Sequence, residues 1–362
     1  MIERASQLTL MGDLITPYKL PTTRYQGSKS KIVEWIWEAV KKINFKSVLD
    51  AFGGTGIVGY FLKMKGKRVF YNDILKSNYY IGTALIENDA ERLSKSDIDF
   101  LLQPNPDINY PTFIQDTFSD IYYTDDENRW LDMVIQNIEN LDSFYKRTLA
   151  YYALFQSCII KRPYNLFHRK NLYMRTSNVK RSFGNKATWD TPFEEHFLNF
   201  VNEANGCVFS NGKKNKALNL DVFDIEGDFD LVYIDTPYIS REGVGVDYME
   251  FYHFLEGIVN YQKWKDMIDY RSKHRRIKHN KPVWCDKNKI YTAFNKLFEK
   301  FQDASIVVSY RSDGIPSIES LKRILKRYKP VVREVRYGDY KYVLSNNSSE
   351  ECLLLGLDES ES

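Results

Sequence analysis

The chain has 362 residues, which corresponds to about two domains at roughly 150 residues each. Its composition, 43% hydrophobic and 27% charged, excludes wholesale disorder. No apolar run approaches the roughly 20 residues that span a bilayer, and the N-terminus lacks a secretory signal's apolar core. Four isolated cysteines argue against a disulfide framework or a structural zinc site. We therefore expect a cytoplasmic protein without metal or membrane contact.

The first predicted elements alternate between helix and strand. Residues 31–42 carry apolar side chains at helical spacing, and residues 47–52 and 68–73 read as short strands that each end in a carboxylate. A glycine turn and a helix over residues 57–64 separate the two strands. This order is typical of a doubly wound parallel sheet.

The middle of the chain has a different character. Prolines interrupt residues 97–119, and helices are predicted over 129–160 and 192–204. Between these helices, residues 161–186 form a basic loop that also carries aromatic side chains. We interpret residues 105–216 as a mostly helical insertion in an α/β domain.

Strands return after the insertion. Residues 218–224 and 229–238 are predicted strands ending in acids, residues 304–310 a buried strand, and residues 320–328 a basic helix. Three closing strands are predicted at 331–337, 341–344 and 351–357. We predict one discontinuous domain formed by 20–104 and 217–357, with tails at 1–19 and 358–362.

The small net charge of +3 conceals a strong segregation of sign. Residues 87–142 contain 14 acids and 3 bases, residues 161–186 contain 8 bases and no acid, and residues 261–289 contain 10 bases and 3 acids. Local positive potential with interleaved rings favours nucleic acid as a partner, although a solvated loop is the alternative. The predicted DNA contacts are Arg162, Arg169, Lys170, Arg175, Lys180 and Arg181.

The glycine turn predicts a nucleoside cofactor. Gly54, Gly56 and Gly59 satisfy GxGxxG after a strand, and Asp73 follows at the end of the next strand. The same letters form the F-x-G-x-G pattern, from Phe52 to Gly56, of S-adenosylmethionine enzymes. A dinucleotide, S-adenosylmethionine or a purely structural turn therefore remain open from this motif alone.

The segment DLVYIDTPY delivers a second candidate group to the sheet edge. The Asp235 carboxylate and the Thr236 carbonyl can accept the two N–H groups of an exocyclic amine, while Pro237 stiffens the turn and Tyr238 offers a ring face. This is positioning chemistry more than proton abstraction. The alternative is an ordinary proline turn after a strand.

Two flanking signals complete the candidate site. In RYQGSK, Lys29 can reach a cofactor carboxylate and Tyr25 can pack near it. Asp221, at the end of its own predicted strand, can accept an adenine amino group or act as a surface turn acid. The ring-rich residues 248–257 can line a base pocket, but core packing is favoured.

Together these segments resemble the Dam-like (D12 class) DNA adenine-N6 methyltransferases. The matching segments occur in the family's order: RYQGSK, LDAFGGTG, YND, LDVF, YIDTPY, VVSYRSDGIPS and EECLLLG. The resemblance extends from Arg24 to Gly356 except for the insertion, which sits where that family places its target-recognition domain.

The resemblance implies a Rossmann-like S-adenosylmethionine-dependent methyltransferase sheet and assigns roles within it. S-Adenosylmethionine would be held by Tyr25, Lys29, Asp50, Phe52, Gly54, Gly56, Asp73 and Asp221. The catalytic motif would be Asp235, Thr236, Pro237 and Tyr238. The family usually has D-P-P-Y, so Thr236 departs from the pattern and one stiffening ring is lost.

We therefore predict methyl transfer from S-adenosylmethionine to adenine N6 in double-stranded DNA, with the base flipped out. A cognate restriction endonuclease is a potential partner. Four alternatives remain open from the sequence: an N4-cytosine DNA methyltransferase, an RNA methyltransferase, a nicotinamide dehydrogenase, and a non-catalytic DNA-binding protein on a relic fold.

Overall fold

The protein is described here by a computed structural model that covers residues 19–22, 24–177, 186–337 and 350–359. Within these ranges one seven-stranded sheet has the order β3-β2-β1-β4-β5-β7-β6. Its strands are β1 (Ser47–Asp50), β2 (Arg68–Asn72), β3 (Lys216–Leu218), β4 (Leu231–Ile234), β5 (Ser305–Arg311), β6 (Val331–Tyr337) and β7 (Glu351–Leu357).

The sheet is parallel from β3 to β5 and closes with antiparallel β7 and β6. The four residues of β4 and the seven of β5 are all buried, as expected for strands covered on both faces. One of the predicted strands differs. The predicted strand 218–224 is wrong, because β3 ends at Leu218 and a 3₁₀ turn, Val222–Asp224, follows. The predicted strand 341–344 lies outside the described residues.

Fourteen α-helices accompany the strands within the described ranges. They are α1 (Val33–Val40), α2 (Ile57–Met64), α3 (Lys76–Gly82), α4 (Lys95–Leu102), α5 (Phe113–Thr117), α6 (Asp125–Glu139), α7 (Phe144–Ile160), α8 (Tyr173–Thr176), α9 (Lys186–Asp190), α10 (Phe193–Cys207), α11 (Tyr248–Ile258), α12 (Tyr261–Met267), α13 (Ile290–Lys300) and α14 (Ile318–Leu325). A π-helical turn, Thr83–Glu87, extends α3, and 3₁₀ turns occupy Pro163–Asn165 and Val283–Cys285.

The single helix predicted over residues 129–160 is two helices. Asn140 leaves the helical conformation after α6, with φ −93° and ψ 3°. Ser143 then caps the next helix, because its side chain accepts a hydrogen bond from the Tyr145 N–H. The break lets α7 turn back and pack along α10.

Helices from two separate parts of the chain pack into one layer, which we call the helical lobe: α4 to α10, together with α11 and α12. Phe254 of α11 contacts the rings of Phe118, Phe167 and Trp264 at centroid distances of 5.1, 5.2 and 5.2 Å. The lobe's buried side chains and several from the sheet belong to one continuous hydrophobic cluster. The insertion therefore shares its core with the β4–β5 connection, and the boundaries 105 and 216 remain predictions.

Two further properties concern the described part of the chain. None of its helices combines the length and apolar character needed to cross a membrane. No group of three or more His, Cys, Asp or Glu side chains in these ranges is arranged to hold a metal ion. All four cysteines are free and buried.

Close packing between α11 and α12 gives a test of this arrangement. A methyl group on Gly257 would lie 1.8 Å from the Trp264 ring, whereas one on Gly206 of α10 would meet no atom within 4 Å. We expect Gly257→Ala to lower the free energy of unfolding by about 3 kcal/mol. Gly206→Ala is the matched control and should raise it by about 0.5–1 kcal/mol. Urea denaturation of both variants measures the difference, and equal stabilities would contradict the packing.

Candidate active site

A cavity of about 400 Å³ opens where β1, β2 and β4 end. Ligands of open α/β sheets bind at this edge, where loops leave the carboxyl ends of the strands. The predicted site residues that line the cavity are Tyr25, Lys29, Asp50, Phe52, Gly54, Asp73, Asp221, Asp235 and Pro237. Three others, Gly56, Thr236 and Tyr238, adjoin lining residues in the chain.

The glycine turn after β1 leaves its backbone open to the cavity. Gly54 has φ +52°, and a Cβ built on it would meet no atom within 4 Å. Gly56 has φ +72° and is the N-cap of α2. Both conformations favour glycine, so a ligand can approach this main chain closely.

Asp73 is held against the glycine turn. Its carboxylate accepts hydrogen bonds from the N–H groups of Gly54 and Leu75, at 2.9 and 2.8 Å. Burial raises the pKa of Asp73 to about 6. Beside it, Ile74 is 65% exposed yet lines the cavity, and so offers an apolar wall that sequence reasoning missed.

Asp50 is the most perturbed carboxyl group of the cavity. It is buried, and its Oδ2 accepts a hydrogen bond from the Gly59 N–H at 3.0 Å. Burial and the nearby negative charge of Asp235 raise the pKa of Asp50 to about 8. Asp50 is therefore largely protonated at neutral pH, and a cation placed beside it would favour the ionised form.

Lys29 lies against Asp235, the first residue of the D-T-P-Y segment. Its Nζ is 2.8 Å from Oδ1 of Asp235. Burial raises the pKa of Asp235 to about 6, although the Lys29 ammonium opposes the shift. Sequence reasoning directed Lys29 to a cofactor carboxylate, but the structure brings its ammonium to Asp235.

Stacked tyrosine rings hold in place the segment before α1 that carries Lys29. The ring centroid of Tyr25 is 4.0 Å from that of Tyr252 and 5.4 Å from that of Tyr248. The Tyr252 hydroxyl also accepts a hydrogen bond from the Gln26 N–H at 2.8 Å. Tyr252 is buried in the core, whereas Tyr248 lines the cavity, so α11 divides its rings between the two.

The Tyr238 ring is supported on one side by Arg311. The guanidinium carbon lies 4.6 Å from the ring centroid, a cation–π distance. Asp313 holds the guanidinium through two contacts of 2.5 and 2.8 Å. The sequence alone does not distinguish a DNA contact from a loop role for Arg311, and the structure places it behind the Tyr238 ring.

Thr236 replaces the first proline of the usual motif without an evident polar role. Its side chain is buried, and its hydroxyl has no hydrogen-bond partner among the described residues. A proline here would therefore break no side-chain hydrogen bond in that part of the chain. The main-chain carbonyl is common to both residues.

Comparison with known proteins decides among the interpretations of this cavity. The sequence model of the D12 class N6 adenine-specific DNA methyltransferases matches residues 25–309. That span contains the glycine turn, Asp73 and the D-T-P-Y motif. The chain belongs to this family. The predicted family and its α/β fold class are confirmed, and the four alternatives are not favoured.

Individual relatives agree with the family match. The type II methyltransferase M2.HphI of Haemophilus parahaemolyticus is 30% identical over 352 residues, which cover 94% of this chain and 98% of that protein. Modification methylase StsI of Streptococcus sanguinis is 27% identical, and the match covers 90% of this chain but 50% of that protein. The type II methyltransferase M.NlaIII of Neisseria lactamica is 24% identical, covering 91% and 95%.

One predicted DNA contact of this methyltransferase, Arg162, is a core residue. It is 1% exposed, and its guanidinium donates to the carbonyls of Tyr122, Leu166 and Arg169. It also donates to the Asn171 side chain and lies 4.3 Å from the Tyr122 ring centroid. The prediction for Arg162 is corrected, because a guanidinium with these partners cannot reach a phosphate.

Acids from elsewhere in the chain neutralise part of the basic loop. Arg175 is buried and pairs with both oxygens of Glu127, at 2.6 and 2.9 Å, so its predicted DNA contact is corrected as well. Lys170 is exposed but lies 2.8 Å from Asp120. Arg169 is exposed. Two predicted contacts lie outside the described residues: Lys180 and Arg181.

The two arginines Arg162 and Arg169 form a matched pair for testing this correction. Arg162→Met should lower the free energy of unfolding by about 2–4 kcal/mol, because several buried acceptors lose their donor. Arg169→Ala keeps the main-chain carbonyl that Arg162 uses, so stability should change by less than about 0.5 kcal/mol. Thermal and urea unfolding of both variants measure this. Equal effects of the two substitutions on the free energy of unfolding would contradict the burial of Arg162.

Proposed function

We propose that this chain is a site-specific DNA methyltransferase that transfers a methyl group from S-adenosylmethionine to adenine N6 in a flipped-out nucleotide of duplex DNA. The observation that carries the proposal is that one cavity is lined by the glycine turn, Asp73 and Asp235. Cofactor and amine can therefore meet in a single space, as methyl transfer requires.

Different residues of the cavity suit different parts of S-adenosylmethionine. The Asp73 carboxylate suits the ribose hydroxyls, and Ile74 offers an apolar surface for the adenine ring. Asp221 lies at the rim, where it can accept the adenine amino group. Asp50 suits the cofactor's ammonium group, because an adjacent cation stabilises a buried carboxylate.

The cofactor supplies a methyl group on a positively charged sulfur. Asp235 and the Thr236 carbonyl would accept the two N–H groups of the target amine and so fix its orientation. Tyr238, held by Arg311, would stack on the base. These contacts place the amine nitrogen in line for attack and stabilise the positive charge that develops on it.

A second part of the proposal concerns the biological setting. Relatives named type II methyltransferases or modification methylases match most of this chain. We infer that this chain is likewise the modification enzyme of a restriction-modification system, paired with an endonuclease that reads the same site. Sequencing of modified bases in cells that express the chain would reveal that site.

We expect Asp235→Ala to reduce methyl transfer by about 10²–10³-fold, since one charged acceptor for the amine is lost. Digestion of treated DNA to nucleosides and mass spectrometry measure N6-methyladenine. Asp228→Ala is the matched control, because Asp228 is exposed near the other end of β4. Retention of more than half the wild-type rate by the Asp235 variant would contradict the assignment of Asp235 as an acceptor for the target amine.

Cofactor binding should release a proton near pH 7. Asp50 has a pKa of about 8, so it is mostly protonated at pH 7, and the cofactor ammonium would shift it to the ionised form. Calorimetric titration with S-adenosylmethionine in phosphate and in Tris should therefore give different heats. Asp50→Asn should remove the difference, and identical wild-type heats in the two buffers would contradict this role.

The basic stretch at residues 261–289 lies closer to the cavity than the basic loop at residues 161–186, because it includes a residue that lines the cavity. His279 lies 2.8 Å from Asp247, the N-cap of α11, and Lys281 lines the cavity. Its exposed bases include Arg271, Lys273 and Lys278. We therefore propose that residues 271–281, together with Arg169, face the DNA backbone.

Replacing Arg271, Lys273 and Lys278 with Ala should shallow the slope of log K against log salt by up to about 2.7, at roughly 0.9 per lost duplex contact. Lys213→Ala with Lys214→Ala is the control, since both are exposed before β3 at the opposite sheet edge. Duplex titrations at several salt concentrations measure the slopes. A larger change of slope from the control pair than from the triple variant would contradict the proposal that residues 271–281 face the DNA.

A further inference from the structure

A hairpin of basic residues is joined by an ion pair to the segment that follows D-T-P-Y. Residues 268–281, which we call the basic hairpin, are closed by an antiparallel bridge between Ile268 and Ile277. Near the end of this hairpin, Nε2 of His279 lies 2.8 Å from Oδ2 of Asp247. The two side chains are only 17% and 15% exposed. His279 is therefore directed at the protein, unlike the exposed bases of the same hairpin.

Asp247 connects this ion pair to residues of the cavity. Its other carboxylate oxygen, Oδ1, accepts a hydrogen bond from the Met249 N–H at 3.1 Å and so caps α11. Directly before Asp247, the Val246 N–H donates to the Tyr238 carbonyl at 3.1 Å. Directly after it, Tyr248 lines the cavity. The ion pair thus holds the chain at the point where the D-T-P-Y segment passes into α11.

The contacts of the His279 ring determine its charge. Nε2 faces the Asp247 carboxylate, and Nδ1 faces the main-chain carbonyl of Ile277 at 3.1 Å. Both partners are acceptors, whereas a neutral imidazole has only one N–H to donate. Only the imidazolium satisfies both contacts. In agreement, the hydrogen bond to Asp247 raises the pKa of His279 above its ordinary value.

Neighbouring groups do not replace this charge when the imidazolium loses its proton. Glu250, the acid in the first turn of α11, pairs with Arg276 of the basic hairpin at 3.1 Å. Burial lowers the pKa of His253 to about 3 and raises that of Cys285 to about 12, so both are neutral near pH 7. Lys281 is exposed and lines the cavity. Among these side chains, the imidazolium is the group whose protonation changes near neutral pH.

We propose that His279 is a positioning residue for methyl transfer: its imidazolium, paired with Asp247, holds the start of α11, and with it Tyr248, against the basic hairpin. This inference rests on the proposed function, in which the hairpin faces DNA and the target amine meets Asp235. Tyr248 and Asp235 line the same cavity, so a displaced Tyr248 would admit the amine in more than one orientation. Loss of the pair should therefore slow methyl transfer more than it weakens DNA binding.

Two other roles for His279 predict different behaviour. A phosphate contact would affect the KM for DNA and its salt dependence. A purely structural side chain would change the rate by the same factor at every pH. A positioning imidazolium, whose pKa is raised by its partner, contributes fully at acidic pH and loses that contribution as the pH rises through its pKa.

The test measures kcat and KM for a duplex substrate from about pH 6 to about pH 9, on the full chain with saturating S-adenosylmethionine. His279→Gln introduces a side chain that does not titrate. The ratio of the wild-type kcat to the variant kcat cancels the titration of the cavity carboxyl groups, which both proteins share. We expect a ratio of about tenfold at pH 6 that falls towards one at pH 9, with KM changed by less than about twofold.

Changing the partner of His279 tests the same pair from the other side. Asp247→Asn keeps an oxygen for the Met249 N–H but removes the charge, so it should give the same pH-dependent ratio. The double variant should be no slower than either single variant, because both changes remove one pair. His196→Gln is the matched control, since His196 lies in α10 and its Nε2 contacts the Thr188 carbonyl. The ratio for this control should stay near one at every pH.

The outcomes separate this inference from the proposed function. A wild-type chain that methylates no adenine would refute both. Wild-type methylation with a His279→Gln ratio that is the same at every pH, or with a loss confined to KM, would overturn only the role of His279. If His279→Gln does not fold, Asp247→Asn decides by the same criteria.

Discussion

Parallel pairing of β1, β2 and β4 is the constraint on which the site depends. The carboxyl ends of parallel strands meet at one edge, so the acids that end or follow these strands, Asp50, Asp73 and Asp235, come together from distant parts of the chain. Burial at this poorly solvated edge raises the pKa of all three carboxyl groups, and the charges of Asp235 and Asp73 raise that of Asp50 further. The ammonium of Lys29 and two main-chain N–H groups at Asp73 make that crowding tolerable.

Residues whose roles follow from local spacing could be predicted from the sequence. The glycine turn and Asp235 are of this kind, because a strand and the turn after it determine where they point. Arg311 is not, since the Tyr238 ring that it supports lies far away in the chain. Asp221 is intermediate: its place at the rim was predicted, but the strand expected to carry it is a loop and a 3₁₀ turn.

Counting the charged residues within one segment gives a wrong prediction of DNA contacts for the same reason, because the partners of those residues lie elsewhere in the chain. Residues 161–186 contain no acid, yet Glu127 and Asp120 reach this segment from α6 and the loop before it. A buried guanidinium such as that of Arg162 is satisfied by carbonyl groups, which no count of charges reveals. The aromatic residues of the same segment predict rings that face nucleic acid, whereas Phe167 is a core ring.

The shared core of the helical lobe limits which segments of the chain can be exchanged between relatives. Phe254 reaches the lobe from the β4–β5 connection and packs on rings that belong to the insertion. Recombination that transplants residues 105–216 alone would separate those rings from their partners and leave apolar surface uncovered. Exchange of residues 105–216 together with the β4–β5 connection would therefore be tolerated more readily than exchange of residues 105–216 alone.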